Sequence, residues 1–402
     1  MKYCIVVPDG AADYPVVKLE GKTPLEAART PNMDRAAREG LLGTALHVPP
    51  RMTPGSSVAI MSVVGYDPAE YFTGRGPIEA ADLGIELGPR DWAVRCNLIS
   101  VAGDVLADFT AGHISTEEAE VLIAALNARL GSDDVKFYTG TSYRHILIYG
   151  GPEVIEVRTT PPHDVVGQPV EEHYPQGAGD ELLIGLMEQS RAALESHEIN
   201  QVRVDLGKNP ANMIWLWSPG KKPAMPAFES RFGIAGAVIS AVNLVRGIGR
   251  LIGWDVIRVP GATGYVDTDY AAKGRYAIDA LRDYDLVLVH VEAPDEASHD
   301  KDLKAKIRAI EQIDHEIVGP LMARADQQGD LRLLVVPDHL TSVQDGKHKR
   351  EPVPFAIWGS GIRAASGLPY TEAHAASSEV EIERGHELMG ELLGIHPAAE
   401  QE

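Results

Sequence analysis

Cysteine is nearly absent from this chain: Cys4 and Cys96 are the only two among 402 residues. Two thiols cannot build a disulfide framework, so the chain reads as one made for a reducing compartment, with both cysteines acting as small buried hydrophobes. Basic residues are also scarce, 37 against 58 acidic ones, for a formal net charge of -21. Nucleic acids and acidic membrane surfaces require a basic footprint, so neither is an expected partner. Long apolar runs are missing as well. No stretch approaches the roughly 18 uninterrupted apolar residues of a membrane span, and no charged segment precedes an apolar core in the manner of a signal peptide. The expectation is a soluble, cytoplasmic protein of about two domains.

What the chain does have is three apolar runs that each break off into metal-ligand chemistry. Cys4-Ile5-Val6-Val7 leads to Asp9-Gly10, Leu286-Val287-Leu288-Val289 leads to His290, Asp295 and His299, and Leu333-Leu334-Val335-Val336 leads to Asp338-His339. Short, nearly continuous hydrophobic runs predict parallel strands covered on both faces, and ligands in open α/β sheets bind just beyond the carboxyl ends of such strands. Polar residues at three such ends therefore converge. Asp295 and His299 stand four apart, which places both side chains on one face if the segment is helical.

The rest of the chain supplies helices and one inserted region. Thr23-Pro24 and Thr30-Pro31 open two helices, the second capped by Thr30 and closing at Gly40. A Pro- and Gly-rich loop ends in Ser56-Ser57 and a mostly apolar helix from Val58 to Val64. A serine at a helix start has free backbone N–H groups and the positive dipole end beside it, which suits phosphate, although serines there also serve as plain N-caps. A long helix is predicted over Ile234–Leu251, a strand over Asp255–Val259 and a helix over Tyr270–Leu281. Leu303, Ile307, Ile310, Ile313, Ile317 and Leu321 form one helical stripe facing a core. Between about residues 90 and 230 no strand ends in ligands. The expected organisation is a ligand-bearing domain from 1–89 and 231–402, with 90–230 inserted. Pro397–Glu402 is expected to fray.

Two tempting motifs fail. Gly21-Lys22-Thr23 resembles the end of an ATP-binding loop, but Val16 stands where its leading glycine must be. Gly247, Gly249 and Gly253 lie within and after a helix rather than between a strand and a helix, so they suit close helix packing instead of a dinucleotide. The mixture of carboxylate and imidazole ligands favours Mn, Zn, Co or Fe over Mg or Ca. Two such ions about 3.5–4 Å apart would activate a serine without a histidine base and neutralise a phosphoryl group in transfer.

Taken together, Asp9-Gly10, Thr30-Pro31-Asn32-Met33-Asp34, Pro54-Gly55-Ser56, Gly65-Tyr66-Asp67-Pro68, Thr73 to Ala80, Ser142-Tyr143-Arg144-His145, Pro161-Pro162-His163-Asp164, Pro260 to Tyr265, Asp295 to His299, Asp338-His339 and His348 to Pro354 resemble the cofactor-independent phosphoglycerate mutases of the archaeal type, within the alkaline phosphatase superfamily. The resemblance runs over nearly the whole chain. It implies an alkaline-phosphatase-like α/β fold, a mostly parallel sheet flanked by helices with an inserted α+β cap domain. It implies one ion on Asp9, Ser56, Asp338 and His339, another on Asp295, His299 and His348, and Ser56 as the phosphorylated nucleophile. Those two divalent ions would be Mn or Zn first, Co or Mg otherwise. Arg144, His113 and His163 would come from the cap and Arg75 and Lys273 from the catalytic body, all toward the substrate, 3-phosphoglycerate or 2-phosphoglycerate.

The chain departs from the family pattern at two places: Ser57 stands where the family usually has an acidic residue, and Trp217 to Lys222 replaces a more glycine-rich turn containing Arg. A second reading is a family member that phosphorylates another acceptor, as a homoserine-kinase-like enzyme would. A third is a noncatalytic, metal-stabilised scaffold. Nothing in the sequence fixes the oligomeric state.

Overall fold

A computed structural model describes residues 1–363 and 365–395; Pro397–Glu402, where fraying is expected, lies outside them. The chain divides into two compact units, one formed by 1–72 and 225–402 and the other by 73–224. Residues 73–89, which sequence reasoning groups with the first unit, pack into the second.

The first unit is an α/β layer structure on an eight-stranded sheet. Its order is Asp255–Val256, Gly236–Ile239, Leu286–Val291, Lys2–Pro8, Leu331–Val335, Val353–Gly359, Leu41–Ala45 and Glu381–Ile382. Neighbours are parallel except at Val353–Gly359, which runs against both of its partners. The three strands with ligand-bearing ends are adjacent at the middle. Val7 is level with His290 on one side, and Val6 with Val335 on the other. Cys4, Ile5, Val6, Val7 and the whole of Leu286–Val289 are fully buried. That is the burial expected of central parallel strands, and it explains why these runs lack polar alternation.

Sequence reasoning fails at Ile234–Leu251. Gly236–Ile239 is a strand, and the helix begins only at Asn243. A fully buried strand and a buried helix leave the same uninterrupted apolar trace, so the joint between them is invisible in hydropathy alone. Gly249 shows why the helix lies so close to that strand: a Cβ there would meet Val238 Cγ1 at 2.7 Å. The strand after it is shorter than predicted, Asp255–Val256, whereas the helix Tyr270–Ala280 falls where expected.

Thr30 makes no side-chain cap for the helix Pro31–Glu39. The free N–H groups of Asn32 and Met33 donate instead to the Asp314 carboxylate, at 3.3 and 2.7 Å. A residue remote in sequence thus does the work of the local cap. The stripe from Leu303 to Leu321 buries Ile310, Ile313, Ile317 and Leu321 completely. It is carried by a helix, Leu303–Ile313, a π-helical turn, Asp314–Val318, and a second helix, Gly319–Gln328.

The second unit is α+β. Its antiparallel sheet centres on Trp92–Ala102, flanked by Arg144–Tyr149 and Met213–Lys221, with Val135–Thr141 beyond Arg144–Tyr149. Helices Thr116–Leu130 and Asp180–Leu194 contribute Leu122, Leu126, Leu183 and Met187 to its separate core.

Candidate active site

Three short connections beyond the central strands of the first unit carry its candidate chemistry. Asp9 follows the strand Lys2–Pro8 and is fully buried; Asp338 and His339 follow Leu331–Val335 and are 1% exposed. Asp295 and His299 lie on the helix Ala293–His299, one turn apart, with His299 Nε2 3.0 Å from Asp295 Oδ2. Ser56 is the first residue of the helix Ser56–Val63, and Gly55 before it makes no side-chain cap. Its Oγ lies 3.3 Å from Asp9 Oδ2 and 3.3 Å from His339 Nε2, so the serine faces the ligand residues rather than capping its own helix.

The residues fall into two adjoining groups. In one, Asp295, His299 and His348 bring ligand atoms together: the Nε2 atoms of His299 and His348 are 3.0 Å apart, and His348 Nε2 is 3.4 Å from Asp295 Oδ1. In the other, His339 Nε2 lies 3.6 Å from Asp9 Oδ1 and 3.4 Å from Asp338 Oδ2. Those two carboxylate oxygens are buried and have no hydrogen-bond partner. Two orphaned acceptors facing one imidazole nitrogen are unfavourable unless a cation meets them, so this donor set fits a divalent metal ion. The rings of His339 and His348 approach to 4.2 Å between centroids and join the groups.

The electrostatics follow from this crowding. Burial, and then the charges of Asp338, Glu292 and Asp295, push the Asp9 carboxyl well above the usual carboxylate range. Burial works against the charge on Asp295 too, but hydrogen bonds from His299 and His348 outweigh it and hold that carboxyl well below the usual range. The same bond to Asp295 raises His299 to about 9. Burial depresses His339, and it takes His290 down to about 3.

Five further residues complete the constellation. His290 donates or accepts at 2.7 Å between its Nε2 and Asp9 Oδ2, while its Nδ1 meets Ser240 Oγ at 3.2 Å. Glu292 stands 3.5 Å from His290 Nε2, and burial raises its carboxyl to about 8. Together with Asp9 these two form a third cluster of ligand type. A histidine inside an apolar strand was a visible signal for His290; Glu292, by contrast, carries no local pattern. Thr341 touches Asp295 and His339. Lys306 and Asp13 form a fully buried ion pair at 2.8 Å, and the Lys306 ammonium also donates to the Thr341 carbonyl at 2.7 Å. That pair ties the segment after Asp9 to the segment after His339.

Lys273 is fully buried, and its ammonium donates to the His290 carbonyl at 3.1 Å. Burial lowers it to about 8. Its ammonium is thus tied to the strand end that carries His290.

The other sequence-derived candidates lie in the second unit, Arg75 among them. There Arg75 sits 5.9 Å from the Trp217 ring, His163 is 6.0 Å from the same ring, and Phe109 bridges His163 to Tyr143, over which Arg144 lies at 5.4 Å. His113 is exposed with positive φ, and the carbonyl of its neighbour Ile114 accepts from Ser142 Oγ. The structure therefore strings Arg75, His163 and Arg144 along an aromatic strip. Beneath it Arg95, absent from the sequence reading, stacks on Trp217 at 3.8 Å and approaches Glu79 to 2.9 Å as an ion pair without hydrogen-bond alignment.

A family model described as 2,3-bisphosphoglycerate-independent phosphoglycerate mutase matches residues 37–200. A curated relative of that name from Methanosarcina acetivorans is 45% identical over 397 residues, covering 98% of this chain and 100% of the relative. Among solved structures, the PH0037 protein of Pyrococcus horikoshii superposes with a TM-score of 0.82 at 28% identity, covering 100% of this chain and 99% of the other. The cofactor-independent phosphoglycerate mutase of Thermoplasma acidophilum gives 0.69 at 28% identity, over 98% and 100%.

Proposed function

The chain belongs to the 2,3-bisphosphoglycerate-independent phosphoglycerate mutases, and from that premise we propose that it interconverts 3-phosphoglycerate and 2-phosphoglycerate with Ser56 as the carrier of the phosphoryl group. The observation that carries this reading is the Ser56 hydroxyl at a helix start, within 3.3 Å of both Asp9 and His339.

Ser56 Oγ attacks phosphorus as its hydroxyl proton leaves; the bond from phosphorus to the 3-oxygen breaks, and that oxygen takes up a proton. The 2-hydroxyl of the retained glycerate then attacks phosphoserine, gives up its proton and restores the serine. Net, one phosphoryl group has moved between two oxygens of the same molecule. The positive end of the Ser56–Val63 helix dipole would favour the transferred group at Ser56. Asp9, Ser56, Asp338 and His339 would hold one divalent ion and Asp295, His299 and His348 a second, with Mn or Zn favoured by the mixed ligands and Co or Mg next. Such ions would supply charge neutralisation to the phosphoryl oxygens and a lowered pKa to the serine. Arg75, Arg144, His113 and His163 of the second unit are assigned to the carboxylate and phosphate of the substrate, which makes that unit the substrate-holding domain. Water has to be kept from phosphoserine throughout, or the enzyme becomes a phosphatase. No helix among the described residues is long and apolar enough to cross a membrane, and both cysteines are free and buried, which supports work in a reducing cytoplasm.

The test is direct. Purified protein supplied with Mn and 3-phosphoglycerate, coupled to enolase, should yield phosphoenolpyruvate without added bisphosphoglycerate. No product with Mn, Zn, Co or Mg would reject the assignment, and turnover of homoserine with ATP would replace it with the other acceptor.

A further inference from the structure

Thr341 lies between the two ligand groups and belongs to neither. It is the middle residue of the short strand Leu340–Ser342 and is fully buried. Its Oγ1 is 2.5 Å from Asp295 Oδ1 and 3.1 Å from His339 Nδ1. Asp295 is a ligand candidate of one group and His339 of the other. The backbone of Thr341 is held on both sides: its N–H donates to the Ala12 carbonyl at 3.2 Å, and its carbonyl accepts from Lys306.

The donor and acceptor inventory then decides where the protons are. A hydroxyl has one hydrogen to give, and an ionised carboxylate can only accept. The Thr341 proton therefore goes to Asp295. With that hydrogen committed, the hydroxyl can meet His339 Nδ1 only as an acceptor, so Nδ1 carries the ring hydrogen and Nε2 keeps its lone pair. Nε2 is the atom that faces Asp9 Oδ1, Asp338 Oδ2 and Ser56 Oγ at 3.6, 3.4 and 3.3 Å. An imidazole binds a metal only through an unprotonated nitrogen, and the tautomer is set by the partner of the other nitrogen.

A Cβ on Gly10 would come within 2.5 Å of Asp295 Oδ1 and 2.6 Å of Thr341 Oγ1, so the loop after Asp9 is packed directly on the bridge.

We infer that Thr341 is the positioning residue that couples the two halves of the cation site, fixing His339 in its Nδ1–H form and holding Asp295 with the same hydroxyl. The inference rests on the reading of these groups as cation sites. It predicts that one hydroxyl controls both halves, although Thr341 ligates nothing.

Chelator-stripped wild-type, Thr341→Ser and Thr341→Val proteins, each shown folded by circular dichroism, should be titrated with Co(II) and followed by visible absorbance. Wild-type and Ser proteins should take up two equivalents. The Val protein, equal in shape but without the hydroxyl, should bind both at least about tenfold more weakly. Nitrogen-15 NMR of the ion-free wild-type protein should show His339 as the Nδ1–H tautomer, a readout that does not depend on any variant folding. A Val protein that binds cobalt like wild type, or that is weakened at one half only, overturns the coupling, as does an Nε2–H tautomer for His339. Wild-type protein that takes up no cobalt overturns the reading of the site itself.

Discussion

His299 Nε2 rests 3.0 Å from Asp295 Oδ2, one turn along the same helix, and the contact raises the imidazole to about 9. At neutral pH the ion-free protein therefore holds a proton on an atom that a cation needs.

Cation binding should accordingly release a proton at pH 7 and tighten as pH rises toward 9. Calorimetric titration with Mn(II) in buffers of different ionisation enthalpy measures that release directly. Heats that do not vary with the buffer would show that His299 is already neutral.

Ser56→Ala should lower mutase turnover by roughly a factor of 10^4 or more while Mn uptake persists, because Asp9, Asp338 and His339 remain. The comparison pairs the enolase-coupled rate with metal analysis of the same sample. Loss of metal together with activity would make Ser56 a structural ligand first.

Acid should destabilise the second unit through His145. This residue is 1% exposed, accepts from the Gly140 N–H at 3.0 Å and is depressed by burial from its ordinary value near 6.5 to about 3. The unfolded chain thus binds a proton that the folded one refuses. Its contribution is complete above pH 6.5 and declines as pH falls from 6.5 toward 3. Urea midpoints followed by tryptophan fluorescence at pH 7, 5.5 and 4.5 should drop, and His145→Gln should flatten the decline. An unchanged slope in that variant would assign the acid sensitivity elsewhere.

Asp314→Ala should cost about 1–3 kcal/mol of stability, since it strips a charged acceptor from two helix-starting N–H groups, that of Met33 buried and that of Asn32 partly so. Thermal unfolding is the measurement. Thr30→Val, at the position where a local cap is expected, should change the midpoint far less, because Thr30 makes no cap bond.

These contrasts show which features a linear chain discloses. The ends of the three central strands were legible because burial on both faces leaves an apolar run and chemistry then interrupts it, as at Asp9 and Asp338. Asp295 and His299 were legible through helical spacing. The partnership of Asp314 with Asn32 and Met33 was not, because it joins residues about 280 apart and no periodicity encodes it. Thr341 was silent for a similar reason: a threonine in a short strand looks alike whether its hydroxyl meets solvent or two ligand side chains. Arg75 was misplaced because the residues around it carry no compositional break; the boundary at Phe72 and Thr73 is visible only in packing.

The sealed pairing of Lys306 with Asp13 bears on redesign of this protein. Exchanging individual side chains at the rim would alter affinity for one element over another, yet the gap between the rim's two loops is dictated by charges that neither solvent nor reactant ever reaches. Retuning elemental preference by more than modest steps would thus demand edits deep in the interior, at positions a screen of accessible residues would never sample.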